Sequence, residues 1–324
     1  MKVVVTGSSD GRIYPRLVHG LQGFDVSAVG AGDLVEACQG ADVLVSFGGS
    51  WNREVLSKLP ISLLQRFGVG VDNVDLAAAD ELGIWIANVP SLPSDNADSV
   101  ADMVLLLLLM VYRRISEAQK AMQTGNWAVE PGRTLKGKTA CLVGMGGIGL
   151  SAAVRLQACG MKLLGVRRNP HKTVPEELHF EEVFGPDRLH WALSKSDVVI
   201  LSATTDEETR GMMGEDEFAI MPEGSVVVNV GRGGLIRQDA LVKALQTGHL
   251  GGAGLDVFDK EPLDPAHPLL RLPNVVATPH LAGTTHEALR GIGDYIVENI
   301  RTFLAGHRLA SIVNDPPNPR RPLR

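Results

Sequence analysis

Short apolar runs alternate with amphipathic stretches along most of the chain, which predicts parallel β-sheets covered by helices on both faces. In roughly the first hundred residues these runs resemble short buried strands; they read KVVVTG, DVLVSF, SLLQRF and GIWIANV. A second series, from Thr139 to about Val276, supplies six further candidates: TACLVG, MKLLGV, DVVILSA, SVVVNV, AGLDVF and NVVATPH. The pattern predicts the fold class α/β, with two doubly wound parallel-sheet domains.

One helix between the two series is unusually apolar. It is predicted from about Ala97 to Ala121 and contains the run MVLLLLLMV. This run is far shorter than the roughly 20 residues that span a bilayer. We therefore expect the helix to be buried between packed elements or to lie at a subunit contact. A final helix, THEALRGIGDYIVENIRTFLAG, precedes a proline-rich tail that is expected to be loose.

Composition excludes several classes of protein. A chain of 324 residues, 44% of them hydrophobic, is long enough for two domains. Its formal net charge of −6 argues against nucleic-acid binding, which usually requires a basic face. The scattered cysteines Cys38, Cys141 and Cys159 predict neither disulfides nor a cysteine metal site, and no metal is expected. The N-terminus becomes polar too early for a secretory signal, so we expect a cytoplasmic protein that binds no membrane.

A glycine-rich loop, CLVGMGGIG, follows the first strand of the second series and opens a helix. It places Gly144, Gly146 and Gly149 in the pattern G-x-G-x-x-G. The first glycine permits a tight turn, the second lets a pyrophosphate approach the backbone, and the third lets helix and strand pack closely. Phosphates would then face the free N–H groups at the helix N-terminus. This context favours a dinucleotide-binding site over a purely structural turn.

The next strand runs into two arginines, in LLGVRRNP. Arg167 stands 18 residues after Gly149 (167 − 149 = 18), where an NAD-binding protein would have an acid for the ribose 2′-hydroxyl. The sequence has no acid between Glu130 and Glu176. Because the guanidinium groups of Arg167 and Arg168 can bind a 2′-phosphate that a carboxylate would repel, we expect NADP(H) to be preferred, with NAD(H) possible.

Four residues with useful chemistry follow strand candidates of the second series. Arg232 lies in NVGRGGLIRQDAL, Asp256 and Glu261 lie in GLDVFDKEPL, and His280 lies in TPHLAGTT. Residues that follow the carboxyl ends of parallel strands meet at one edge of a sheet, so all four should face the cofactor crevice. Alone, each has an ordinary explanation as a loop histidine, a turn carboxylate or a capping arginine. Their joint occurrence favours a catalytic site.

These segments together resemble the D-2-hydroxyacid dehydrogenase family over nearly the whole chain. The spacing of Arg232, Glu261 and His280 (261 − 232 = 29; 280 − 261 = 19) is similar to that of the family's Arg–Glu–His trio. Within the family the chain looks most like the NADPH-dependent glyoxylate/hydroxypyruvate reductases. Other segments that carry the resemblance are FGVGVDNVDLAAADELGIWIANVP, SVADMVLLLLL and the glycine loop.

The resemblance implies reduction of a small 2-keto acid to the D-2-hydroxy acid. His280 would donate a proton to the carbonyl oxygen, since histidine titrates near neutral pH. Glu261 beside it would raise the pKa of the imidazole. Arg232 would hold the substrate's carboxylate and carbonyl oxygens through its planar guanidinium.

The resemblance also implies further contacts with the substrate and the cofactor. Backbone N–H groups of the GVG loop would bind the substrate carboxylate, which implicates Val69 and Gly70. The implied cofactor contacts are Gly147 and Ile148 at the pyrophosphate, Val230 and Gly231 along the nicotinamide ribose, Asp256 at the carboxamide, and Thr204.

The resemblance implies a domain plan as well. A flavodoxin-like substrate domain would comprise residues 1–98 and 288–324, with a Rossmann-type dinucleotide-binding domain, residues 99–287, inserted into it. The apolar helix would lie near a homodimer contact. Trp127 is expected in core packing, although it could instead close over a substrate.

Alternatives remain at this stage. Glyoxylate, hydroxypyruvate and 2-ketogluconate are all possible substrates. A phosphoglycerate dehydrogenase-like oxidation is another possible activity, although the sequence ends without an added regulatory domain. A non-catalytic dinucleotide sensor or corepressor uses the same fold. The presence of the Arg–Glu–His trio argues against this last alternative.

Overall fold

The computed structural model describes residues 1–6, 13–30 and 34–324, which form two compact units. The first unit comprises Met1–Asn96 and Thr284–Arg324, and the second is Ala97–Gly283. The predicted domain boundaries, after residues 98 and 287, fall a few residues later. Residues 7–12, part of the polar stretch cited against a secretory signal, lie outside the described residues.

A five-stranded parallel sheet forms the first unit, in the order β2-β1-β3-β4-β5. Helices cover both faces, so β3 and β4 are buried at every residue. The strands are β1 (Lys2–Thr6), β2 (Asp25–Val29), β3 (Val43–Ser46), β4 (Leu63–Arg66) and β5 (Trp85–Ala87). The helices before the second unit are α1 (Tyr14–Gly20), α2 (Leu34–Ala37), α3 (Arg53–Ser57) and α4 (Leu76–Glu81).

A seven-stranded parallel sheet forms the second unit, in the order β12-β11-β10-β9-β6-β7-β8. The strands are β6 (Thr139–Val143), β7 (Lys162–Val166), β8 (Phe180–Phe184), β9 (Val198–Leu201), β10 (Ser225–Asn229), β11 (Leu250–Leu255) and β12 (Val275–Ala277). The helices are α5 (Asn96–Tyr112), α6 (Ile115–Gln123), α7 (Gly147–Ala158), α8 (Leu189–Ser194), α9 (Glu215–Ile220) and α10 (Gln238–Gln246). The chain order reverses between β6 and β9, the point at which open sheets bind ligands. The prediction of an α/β fold with two parallel sheets is confirmed.

The chain returns to the first unit as α11 (His286–Leu304). This helix buries Ile292, Ile296 and Phe303 in the core of that unit. The tail that follows is held in place, contrary to the expectation that it is loose. The guanidinium of Arg320, for example, donates to the carbonyl of Ile61 at 2.9 Å, and the Arg320 N–H bonds the carbonyl of Gly83 at 2.8 Å.

The sequence pattern missed two strands, β2 and β8. Both lie at an edge of their sheet. Their sequences, DVSAV and FEEVF, contain mainly exposed or partly buried residues. An edge strand that is only partly covered needs no continuous apolar run, so apolar runs alone predicted six strands for a seven-stranded sheet.

The single helix predicted from Ala97 to Ala121 is in fact two helices, α5 and α6. They are separated at Arg113 and Arg114, and Arg114 has a φ of 51° in the left-handed region, where an α-helix cannot continue. Beyond α6, the side chain of Trp127 is 83% exposed. The expectation that Trp127 packs in the core is therefore wrong.

Helix α5 packs one face on the second sheet. Leu107 lies against β11 at Gly254, where an added Cβ would come within 2.8 Å of the leucine Cβ. The opposite face leaves Leu106 and Leu109 exposed. In the described ranges, no helix is both long and apolar enough to cross a membrane.

Candidate active site

Three neighbouring strands carry predicted site residues just beyond their carboxyl ends. Arg232 follows β10, Asp256 follows β11 and His280 follows β12. Because the strands are parallel and adjacent, these residues lie at one edge of the second sheet. Glu261, on the loop after Asp256, reaches His280. The structure thus brings together four residues that are far apart in the sequence.

His280 and Glu261 form a hydrogen bond of 2.7 Å between Nδ1 of the imidazole and Oε2 of the carboxylate. The other carboxylate oxygen accepts the N–H of Phe258 at 2.9 Å, which fixes the orientation of Glu261. With Nδ1 engaged, Nε2 is the ring nitrogen that can exchange a proton with a ligand. The His280 side chain is 53% exposed, so a ligand can reach it.

The pair shifts both pKa values toward the charged forms. The hydrogen bond to Glu261 raises the pKa of His280, and the negative charge of Asp256 adds to this effect. Burial and the positive charge of Arg232 oppose it without reversing it. Burial also acts to raise the pKa of Glu261, but hydrogen bonds from His280 and from a backbone N–H outweigh it and hold that pKa below its usual value. The arrangement favours an imidazolium beside a carboxylate.

Asp256 holds the loop that carries His280. Its side chain is buried, and Oδ1 accepts the hydroxyl of Thr278 at 2.6 Å and the N–H of Leu281 at 2.9 Å. Oδ2 accepts the N–H of Ala282 at 2.9 Å. His280 itself has a left-handed φ of 51°, and its N–H bonds the carbonyl of Asp256 at 2.8 Å. Asp256 therefore shapes the site from inside the protein, and its contact with a carboxamide stays a prediction.

The Arg232 loop is positioned by a residue that the sequence analysis missed. The buried Asn229, at the end of β10, donates from Nδ2 to the carbonyl of Arg232 at 2.9 Å. Its Oδ1 accepts the N–H of Gly231 at 3.1 Å. At Gly233 the backbone lies so close to Phe258 that no side chain fits, which presses this loop against the loop that carries Glu261. The one signal in the sequence was a polar residue ending the apolar run VVVN.

The glycine loop after β6 fits a dinucleotide. Gly144 has a φ of 96°, and a Cβ there would clash with the backbone of Ala203. A Cβ on Gly146 would meet nothing within 4 Å, which leaves room for a pyrophosphate beside the N-terminus of α7. The residues present can therefore hold the pyrophosphate of a nicotinamide dinucleotide.

The other predicted cofactor contacts lie around this loop. Gly147 and Ile148 form the first turn of α7, while Val230 and Gly231 directly follow β10. Thr204 lies in the loop after β9 and is exposed. All five lie beyond the carboxyl ends of strands in the second sheet, and their contacts with a cofactor stay predictions.

The two arginines after β7 have different surroundings. Arg167 is half-buried, and its Nη2 donates to the carbonyl of Pro170 at 3.4 Å. Arg168 is exposed and forms an ion pair with Asp206, while Glu208 lies 3.3 Å from it. Both acids belong to the loop after β9. Acids from another loop therefore lie beside Arg168, although the sequence around the two arginines contains none. Sequence reasoning gave no sign of this contact.

Val69 and Gly70 lie in the first unit, in the loop after β4. The carbonyl of Val69 accepts the side-chain amide of Asn88 at 2.9 Å, and Val89 donates its N–H to the carbonyl of Gly68 at 3.1 Å. Among the described residues, the N–H groups of Val69 and Gly70 have no hydrogen-bond partner. They are the kind of backbone donors that can bind a carboxylate.

The family model of the D-isomer specific 2-hydroxyacid dehydrogenase, NAD binding domain, matches residues 105–282. The chain belongs to the D-isomer-specific 2-hydroxyacid dehydrogenase family. The matched residues fall within the second unit.

Relatives of this chain include proteins with two activities. A glyoxylate reductase from Thermococcus litoralis is 34% identical over 301 residues, 90% of this chain and 88% of that protein. A D-3-phosphoglycerate dehydrogenase from Methanocaldococcus jannaschii is 36% identical over 295 residues, 90% of this chain. The chain covers 55% of this second relative, about half its length.

Solved structures of the family show the same fold. The crystal structure of an NADPH-dependent glyoxylate/hydroxypyruvate reductase from Sinorhizobium meliloti, in complex with NADP and malonate, matches this chain with a TM-score of 0.83 at 28% identity. The match covers 99% of both chains.

Proposed function

We propose that the protein reduces a small 2-keto acid, of the glyoxylate or hydroxypyruvate type, to the D-2-hydroxy acid and uses NADPH in preference to NADH. The observation that carries this proposal is the 2.7 Å hydrogen bond between His280 and Glu261, beside the loop of Arg232. Relatives named for glyoxylate and hydroxypyruvate reduction support the choice of substrate. A sugar-derived acid such as 2-ketogluconate is a further candidate.

His280 is assigned the proton transfer. The nicotinamide, when bound, supplies the hydride. Nε2 of His280 donates a proton to the substrate's carbonyl oxygen, and Glu261 keeps the imidazole charged beforehand. In the oxidative direction the neutral imidazole takes the proton from the hydroxyl group. Positioned acid–base groups of this kind contribute roughly 10²–10⁴-fold in rate.

The substrate's negative charge is assigned to two groups of donors. Arg232 presents a planar guanidinium that can bind carboxylate and carbonyl oxygens together. The N–H groups of Val69 and Gly70 can take a carboxylate oxygen without a side chain. Orienting the carbonyl in this way lowers the entropic part of the barrier.

The cofactor preference is assigned to Arg167 and Arg168. Both follow β7, where the ribose of the adenosine half binds in folds of this topology. Neither residue is an acid that would repel a 2′-phosphate, and each guanidinium can bind one.

Steady-state kinetics with each cofactor test the proposal. Glyoxylate, hydroxypyruvate and 2-ketogluconate are each assayed by absorbance at 340 nm with NADPH and with NADH. We expect kcat/KM to be at least about tenfold higher with NADPH, equivalent to about 1.4 kcal/mol. Equal or better use of NADH would refute the cofactor assignment.

The same assay with His280→Ala tests the catalytic assignment. Turnover should fall by roughly 10²–10⁴-fold while NADPH affinity, measured by quenching of protein fluorescence, stays within about twofold. A phosphoglycerate dehydrogenase activity would appear instead as oxidation of 3-phosphoglycerate with NAD. A flat trace with every substrate would favour a non-catalytic dinucleotide sensor.

A further inference from the structure

An ion pair links the two loops that flank the glycine loop. Arg168, after β7, pairs through Nη2 with the carboxylate of Asp206, after β9, and lies 3.3 Å from Glu208. β7 and β9 are the two neighbours of β6, whose carboxyl end leads into the glycine loop. In folds of this topology the adenosine half of the dinucleotide lies at that switch point. The ion pair therefore spans the position expected for the adenosine half.

Asp206 is fixed for this contact by its own turn. Its Oδ1 accepts the N–H of Glu208 and the N–H of Thr209, each at 3.0 Å, and the Thr209 hydroxyl at 2.9 Å. Its N–H donates to the Thr209 hydroxyl oxygen at 2.8 Å. Oδ1 is thus occupied within the loop, and Oδ2 is the oxygen that faces Arg168. The hydrogen bond from Arg168, aided by Thr209, holds the pKa of Asp206 below its usual range.

Arg167 is not tied in the same way. Within the described residues it forms no ion pair, and its Nη2 reaches only the carbonyl of Pro170. Its Nε is buried without a partner. Of the two guanidinium groups beside the expected 2′-phosphate position, Arg168 is thus the one already matched by carboxylates.

We propose that Asp206, together with Glu208, sets the degree of discrimination between NADPH and NADH by competing with the 2′-phosphate for Arg168. This inference rests on the proposed cofactor site and adds two specificity-determining residues to it. A 2′-phosphate must displace the carboxylates or bind next to them, and either costs binding energy through desolvation or like-charge repulsion. A cofactor with a free 2′-hydroxyl meets no such competition. The acids therefore reduce the advantage that two arginines alone would give NADPH.

Binding of adenosine fragments to the full chain tests the proposal without relying on turnover. The two ligands are 2′,5′-ADP and 5′-AMP, measured by titration calorimetry. Asp206→Asn removes the charge but keeps an Oδ1 acceptor, so the turn is retained. We expect affinity for 2′,5′-ADP to rise roughly threefold to fivefold, and affinity for 5′-AMP to change less than about twofold.

Glu207→Gln is the matched control, because it removes the same charge from the same loop. In the described part of the chain Glu207 forms no ion pair, so its replacement should change the two affinities equally and slightly. In an Arg168→Ala background, Asp206→Asn should have no effect on 2′,5′-ADP binding.

Two results would overturn the proposal. Equal gains in 2′,5′-ADP affinity in Asp206→Asn and Glu207→Gln would indicate that any negative charge on this loop weakens phosphate binding, whether or not it pairs with Arg168. A loss of 2′,5′-ADP affinity in Asp206→Asn would mean that Asp206 orients Arg168 for the phosphate. The ratio of the affinities of the unchanged protein for 2′,5′-ADP and 5′-AMP tests the NADPH preference separately. A ratio near one would refute that preference, whereas a gain in 2′,5′-ADP affinity in Asp206→Asn would still support the role of Asp206.

Discussion

Two carboxylates support His280, and they act on different parts of it. Glu261 bonds the imidazole and raises the pKa of His280. Asp256 is 1% exposed, and its carboxylate accepts the Thr278 hydroxyl before the histidine and the N–H groups of Leu281 and Ala282 after it. The left-handed φ of His280 costs on the order of 1–3 kcal/mol, which hydrogen bonds to a buried carboxylate can offset. Removal of Glu261 should therefore change the protonation of His280, whereas removal of Asp256 should change the conformation of the loop that carries it.

Glu261→Gln should shift the pH dependence of reduction. The carboxylate raises the pKa of His280, so its loss lowers that pKa, and His280, the proposed general acid, loses its proton at a lower pH. We expect the basic limb of the kcat/KM profile for reduction to move to lower pH, and the rate at alkaline pH to fall the most. Profiles measured from about pH 5 to pH 9 with NADPH check this expectation.

The control for that experiment is Glu177→Gln, an exposed glutamate on the same unit. Its profile should overlay that of the unchanged protein. If Glu261→Gln lowers the rate by the same factor at every pH, Glu261 does not act through the protonation of His280.

At the scale of elements, close contact between α5 and β11 holds the helix on the second sheet. Gly252 and Gly254 make this approach possible, because added Cβ atoms would come within 2.5 Å of Val111 Cγ1 and 2.8 Å of Leu107 Cβ. Leu107 cannot swing away at its Cβ, so its helix would have to move. Asp256 directly follows β11, so the strand that packs on α5 also carries a residue of the candidate site.

Gly254→Val should destabilise the second unit. Overpacking of this kind costs roughly 1–3 kcal/mol, and in a unit of this size each kcal/mol lowers Tm by roughly 2–4 °C. Thermal unfolding followed by circular dichroism measures the effect. Gly30→Val is a suitable comparison, since an added Cβ at Gly30 meets nothing within 4 Å. Equal Tm values for the two variants would contradict the packing account.

At the scale of the whole molecule, the exposed side of α5 is the strongest candidate for a contact between two copies of the chain. Met103, Leu106, Leu109 and Met110 recur at helical spacing, and two of them, Leu106 and Leu109, are 49% and 37% exposed. Apolar side chains aligned on one face of a helix are typical of subunit interfaces. The prediction of a homodimer remains a proposal that this face supports.

The double variant Leu106→Glu, Leu109→Glu should be monomeric under conditions in which the unchanged protein is a dimer. Placing carboxylates in an apolar contact leaves buried, unpaired charges, which costs several kcal/mol. Light scattering coupled to size-exclusion chromatography measures the mass. Leu92→Glu, at a leucine that is 63% exposed in the first unit, should leave the mass unchanged. A monomeric unchanged protein would refute the interface.

Much of the geometry of the candidate site was predictable because motifs encode local structure. The glycine pattern fixes a strand, a turn and a helix that lie next to one another in sequence, and the spacing of Arg232, Glu261 and His280 follows the strands that carry them. Asn229 and Asp206 were not predictable in this way. Each acts through a hydrogen bond or ion pair whose existence depends on how a loop turns after its strand.

The sequence alone determined the α/β class and the strand, glycine turn and helix of the candidate dinucleotide loop, because apolar periodicity and strand–turn–helix order are local properties. It also supplied the residues to which the chemistry is assigned in the proposal. Only the tertiary structure decided that Glu261 bonds His280 at Nδ1, that Asp256 faces inward to hold the histidine loop, and that acids meet Arg168. These contacts join loops from different strands. Their distances depend on how the whole sheet is packed, which no stretch of sequence specifies by itself.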